Sequence, residues 1–170
     1  MKKLIALALA VMLLASMAVS VSAESTTTLT ATVPAASYTL NIPANQEIPF
    51  GTTRQSIGNV TVTDASGFAV GKNLDVTITY DAFAAEGISS KISYSLSLSG
   101  QNSRYKAIAS GDVVTFDGKE NGTVVETLFV EDNYEAICIL FTAENEDWGK
   151  ALAGEYTSTI TFTAEVVVEG

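Results

Sequence analysis

No histidine occurs anywhere in the 170 residues. That absence removes Ser-His-Asp and Cys-His nucleophile systems, imidazole metal sites and the usual general base near neutral pH. Carboxylate chemistry is what remains. Nineteen acidic residues supply many pairs, but a two-carboxylate glycosidase needs its acids about 5–9 Å apart across a cleft, which no spacing along a chain specifies. An enzyme is therefore not expected, and no cofactor is implied.

Cysteine is almost as scarce. Cys138 is the only one, so no intramolecular disulfide can form. Its setting in "YEAICILFTA", between Ile137 and Ile139, reads as a small apolar side chain in a core, with an intermolecular disulfide as its other use. Basic residues number nine against nineteen acids, for a net charge of −10. Such a field repels phosphate backbones and anionic lipid, so nucleic acid is not an expected partner. The acidity itself needs no purpose beyond solubility.

The chain opens with Met1-Lys2-Lys3, continues through an apolar run from Leu4 to Val19 interrupted only by Ser16, and reaches the small residues Val21-Ser22-Ala23. This is the pattern of a secretory signal peptide, residues 1–23, cut between Ala23 and Glu24. An uncleaved membrane anchor is the alternative, against which the run is shorter than the ~20 residues of a spanning helix. Cleavage removes Lys2 and Lys3, leaving seven basic against nineteen acidic residues and a charge of −12. The expected product is one domain, residues 24–170, secreted or held at the extracellular cell surface, with membrane contact only during export. No cysteine at the cleavage site suggests a lipid, and "AEVVVEG" is not a wall-sorting signal.

After the leader, apolar residues alternate with period two, and none recurs with the three-four spacing of a helix. Leu74, Val76, Ile78 and Tyr80 oppose Asp75, Thr77, Thr79 and Asp81; Ile92, Tyr94, Leu96 and Leu98 oppose a row of serines. Further strands are predicted at Thr26–Val33, Ser37–Ile42, Ile57–Thr63, Asp112–Phe116, Val124–Val130 and Glu155–Val167. Ala136–Phe141, apolar on both parities, is predicted to be central. Turn chemistry separates these runs, as in "DASG" (64–67) and "FDGKENGT" (116–123). About nine strands without crossover helices predict an all-β, two-sheet antiparallel β-sandwich of immunoglobulin-like type. A closed barrel is the competing arrangement.

Candidate contact residues are few. Tyr80, Tyr94, Tyr156 and Phe162 fall on apolar parities and are expected in the core. That leaves Tyr105, set between Arg104 and Lys106, and Trp148 as rings for stacking on a sugar, with a loop tyrosine and an end-closing lid as their plainer readings. The acidic runs "VEDNYE" (130–135) and "AENEDW" (143–148) could offer calcium the oxygens of Asp132, Glu144, Glu146 and Asp147. Neither has the spacing of an EF-hand loop, and solvated loops account for both.

The segment "WGKALAGEYTSTITFTAEV" (148–166) resembles the closing element of small exported bacterial sandwich proteins, and "LTATVPAASYTLNIPA" (29–44) is similar to their opening. Pilin-like and other small secreted surface proteins of clostridial Gram-positive bacteria share these ends. The resemblance implies a non-enzymatic extracellular role, as a structural fibre subunit or adhesin-like module. An extracellular carbohydrate-binding module, with a host or cell-wall glycan as partner, is the other reading. The last strand, at thirteen residues, would reach about 43 Å at ~3.3 Å per residue. Its expected partner is Ser25–Val33, within the chain or from a second copy across an unpaired edge.

Overall fold

The computed structural model describes residues 28–32, 35–68, 71–99, 105–117, 128, 130 and 136–168. The leader with Ala23 and Glu24, together with Arg104 and Asp132, lies outside them. The chain divides into two compact units, Met1–Thr32 and Val33–Gly170. In the first, residues 28–32 form no strand, although the alternation of Leu29 and Ala31 predicts one. All the strands of the described residues belong to the second unit.

Strand takes 59% of the described residues and helix 4%, which makes the protein all-β. Its strands are β1 (Ser37–Asn41), β2 (Arg54–Ser66), β3 (Lys72–Tyr80), β4 (Phe83–Ala85), β5 (Ile88–Ile92), β6 (Ser95–Ser99), β7 (Tyr105–Ile108), β8 (Asp112–Phe116), β9 (Ala136–Thr142) and β10 (Ile160–Val168). One short helix, α1 (Asn145–Gly149), precedes the last strand. A five-stranded antiparallel sheet runs β1-β2-β9-β6-β7, a three-stranded sheet runs β10-β3-β8, and β4 with β5 makes a hairpin. No helix among the described residues is long and apolar enough to cross a membrane.

The two sheets form a sandwich because each presents one apolar parity to the other. Val60, Val62, Leu96, Ile137, Ile139 and Phe141 from the larger sheet share a single core with Leu74, Val76, Ile78, Val114 and Phe116 from the smaller. Removing each such side chain from water is worth about 1.5–3 kcal/mol, so this seam dominates stability. As predicted, β9 is a central strand, held between β2 and β6.

Several boundaries differ from the sequence expectation. The run from Ile92 to Leu98 divides at Ser93-Tyr94, where the Tyr94 ring turns into a cluster with Tyr80, Phe83 and Phe141 at centroid distances of 5.2, 5.1 and 5.2 Å. Tyr105 opens a strand instead of lying in a loop, because β6 offers it a register from Leu96↔Ile108 to Ser99↔Tyr105. The final strand is nine residues long, not thirteen. Thr157 is diverted to an isolated bridge with Ala84, their N–H groups and carbonyls exchanging two bonds of 2.9 Å. Ser158 donates its hydroxyl to the Asp81 carbonyl at 2.7 Å, and pairing resumes only at Ile160. Cys138 takes the outward parity of β9 and is half-buried, its Sγ 3.1 Å from Ser56 Oγ.

Candidate functional site

Three connecting segments surround a cleft of about 1130 Å³. The first joins β1 to β2, the second joins α1 to β10, and the third is the β4–β5 hairpin. Each is fastened by local chemistry, so the cleft walls are fixed before anything enters.

In the first segment, β2 carries a bulge between Ser56 and Gly58 that takes Ile57 out of the ladder with β9. The carbonyl of Ile57 is thereby left over, and Gln46 Nε2 donates to it at 2.6 Å. Gln46 Oε1 in turn accepts from Gln55 Nε2 at 3.1 Å. Further along, the Thr52 N–H donates to the Pro49 carbonyl at 3.1 Å, and Gly51 between them has φ 79°. Pro49-Phe50-Gly51-Thr52 is thus a type II turn, which requires a residue tolerant of positive φ at its third position. Phe50 stands at the tip of that turn with 80% of its surface exposed.

Trp148 secures the turn from below. Its indole N–H donates to the Thr52 carbonyl at 2.9 Å, and its ring meets Phe50 edge-on at 5.6 Å. An aromatic pair in this geometry fixes orientation as well as burying area. The second segment is fastened by Tyr156, whose hydroxyl accepts the Leu152 N–H at 3.1 Å and shares a 3.0 Å hydrogen bond with Ser90 Oγ. Leu152 itself is 63% exposed. Glu47 and Glu155 contribute charge to the cleft, and among the described residues neither Lys nor Arg lines it.

The residues singled out from sequence are not gathered here as a group. Trp148 is 7% exposed and its N–H is committed, so it buttresses the cleft as a lid residue and offers no open ring face. Phe50 is the exposed ring instead. Its sequence signal was the turn chemistry of "IPFGT", which places an aromatic where turns favour polar residues. Tyr105 belongs to the outer face of the five-stranded sheet and is 50% exposed. The Arg54 guanidinium covers its ring at 4.5 Å, reaching over strands β9 and β6, whose outward positions include Ser95, Ser97 and Ser99. Lys106 is the next residue of β7 and is exposed.

The acidic run 144–147 folds as a helix start and not as a ligand loop. Glu144 occupies the N-cap position of α1, with Glu146 and Asp147 in the first turn, where the helix dipole favours negative charge. Asp147 also faces Lys150 Nζ at 3.9 Å. Among the described residues, no three His, Cys, Asp or Glu side chains converge closely enough to hold a metal ion. Burial raises the Tyr94 phenol above its ordinary range.

No family model matches the chain, and no curated protein and no solved structure matches it.

Proposed function

We propose that the protein is a non-enzymatic, exported surface protein acting as a structural subunit, with the sandwich as a rigid carrier and the edge of β10 as the place where a second copy docks. The observation that carries this reading is β10 itself. It is the longest edge strand among the described residues, paired with β3 along all nine of its residues and with nothing on its other side in the sheet order. Among the described residues no strand takes up the backbone N–H and C=O groups that every second residue of β10 turns to that side.

The side chains of β10 support the same reading. Ile160, Phe162, Ala164 and Val166 face the core yet stay only partly buried, while Leu74, Val76 and Ile78 of β3 are completely enclosed. An added strand would cover that shelf as well as complete the ladder. The segment Ser25–Val33 of another molecule suits the edge: it has nine residues, alternates Leu29, Ala31 and Val33 with threonine, and carries no charge. Pairing through the backbone supplies affinity, and alternate side chains supply register.

The test uses the mature chain, residues 24–170, followed by analytical ultracentrifugation and negative-stain microscopy. Concentration-dependent oligomers or fibres that a synthetic 25–33 peptide disperses are expected. A chain that stays monomeric at millimolar concentration, or oligomers indifferent to the peptide, would remove this reading.

A further inference from the structure

We infer that the cleft between the β1–β2 segment and the α1–β10 segment is a binding site for a neutral glycan chain, with Phe50 as its stacking face. A pyranose ring has a face of C–H bonds and a rim of hydroxyls. It therefore needs a flat apolar surface and hydrogen-bond acceptors side by side.

Phe50 supplies the surface. The residue is 80% exposed yet held, by the type II turn at Gly51 and by the edge contact of its ring to Trp148 at 5.6 Å. A ring already fixed in place loses little conformational freedom on binding, and covering it gains hydrophobic free energy in proportion to the area removed from water. Leu152, also largely exposed, adds apolar surface from the facing segment. Glu47 and Glu155 supply acceptors for sugar hydroxyls, and the Asn45 amide adds both donors and an acceptor.

Charge selects among ligands. Among the described residues two carboxylates line the cleft and no Lys or Arg does, and the whole chain carries a net charge of −10. Phosphorylated, sulfated and uronic sugars are disfavoured by that field. Size selects further, because about 1130 Å³ exceeds the roughly 300–1,000 Å³ of pockets that enclose a single small molecule. An extended chain lying through the cleft fits better than one enclosed monosaccharide. This site is separate from the β10 edge, and neither depends on the other.

Trp148 is the only tryptophan and sits beneath Phe50, so its fluorescence reports occupancy directly. The mature protein is titrated with neutral hexasaccharides from β-glucan, mannan, galactan, xylan and chitin. At least one is expected to give a saturable change, and Phe50→Ala is expected to weaken it about tenfold, the scale of one aromatic contact. Glu155→Gln is expected to weaken it less, and the melting curves of both variants to match the parent. Leu152→Ala serves as a second variant should Phe50→Ala fail to melt cooperatively. No saturable response to any neutral hexasaccharide, affinity unchanged in both apolar variants, or preference for a uronic oligosaccharide or for spermidine would each overturn the assignment.

Discussion

The indole N–H of Trp148 and the main-chain carbonyl of Thr52 meet at 2.9 Å across 96 positions of sequence. This one hydrogen bond ties the helix before the last strand to the turn that presents Phe50. Because Trp148 is buried and Phe50 is not, the two rings of the pair should differ sharply in what their substitution costs.

Trp148→Phe removes the N–H donor and leaves a gap beneath the turn. A cost of about 1–3 kcal/mol is expected, from the unmet carbonyl and the lost packing together. Phe50→Ala should change stability by no more than about 0.5 kcal/mol, as surface substitutions usually do. Urea denaturation of the two variants separates them; equal losses would mean that Phe50 supports the fold and is not simply displayed by it.

On the outer face of the smaller sheet, Glu165 lies directly opposite Asp75 in the β10–β3 register. Thr115 Oγ1 donates to one oxygen of Asp75 at 2.7 Å, which leaves the repulsion between the two carboxylates in place. Like charges in directly opposed positions destabilise a sheet, and reversing one should gain up to about 1 kcal/mol. Glu165→Lys is accordingly expected to raise the melting temperature by a few degrees at low salt. Most of the gain should vanish in 1 M salt, where the screening length falls to about 3 Å. A salt-independent gain would indicate a different origin.

Gly67 has φ 72°, and a β-carbon there would fall against the Ala35 carbonyl group, which is backbone and cannot swing aside. Gly67→Ala is expected to cost at least about 2 kcal/mol, the left-handed conformation and the collision adding together. Gly149, in α1 with open space around it, is the control. Gly149→Ala should be neutral or slightly stabilising. Thermal melting of the pair checks both.

Tyr94 gives the molecule an alkaline limit. Its phenol meets Ser158 Oγ at 2.7 Å, and that hydroxyl spends its own proton on the Asp81 carbonyl, so Tyr94 is the donor and must keep its proton. Burial raises its pKa above the ordinary value of 10.0. The unfolded chain therefore releases this proton first. The stabilisation is fully present below about pH 10 and is lost as the pH rises through the higher folded value. Tyr94→Phe should be less stable at neutral pH by about 1 kcal/mol, with a shallower decline above pH 10. Chemical denaturation between pH 8 and 11 measures both effects.

The sandwich was legible wherever one strand face is dry and the other wet. β3 is the clearest case: Leu74, Val76 and Ile78 alternate with Asp75, Thr77 and Thr79, and the strand follows that alternation to Tyr80. The alternation misled at the chain's end, because Thr157 and Ser158 continue the pattern of β10 while their hydrogen bonds go to Ala84 and Asp81. Local polarity carries no record of a distant partner. β7 was missed for the same reason, since "YKAI" has no periodicity of its own and becomes a strand by pairing with β6. The cleft was the least legible part. Phe50 and Trp148 are far apart in sequence, and which ring would be covered depended on a helix too short to predict.

The β10–β3 register runs from Ile160↔Tyr80 to Val168↔Lys72 without a single slip. A bulge would concentrate mechanical load at one weak rung, and this ladder has none. A pull along the strand axis is therefore shared by all nine pairs at once, whereas a pull across the sheet peels them one after another. The same seam is strong in shear and weak in unzipping, so the direction in which tension reaches the last strand decides how much force the domain withstands.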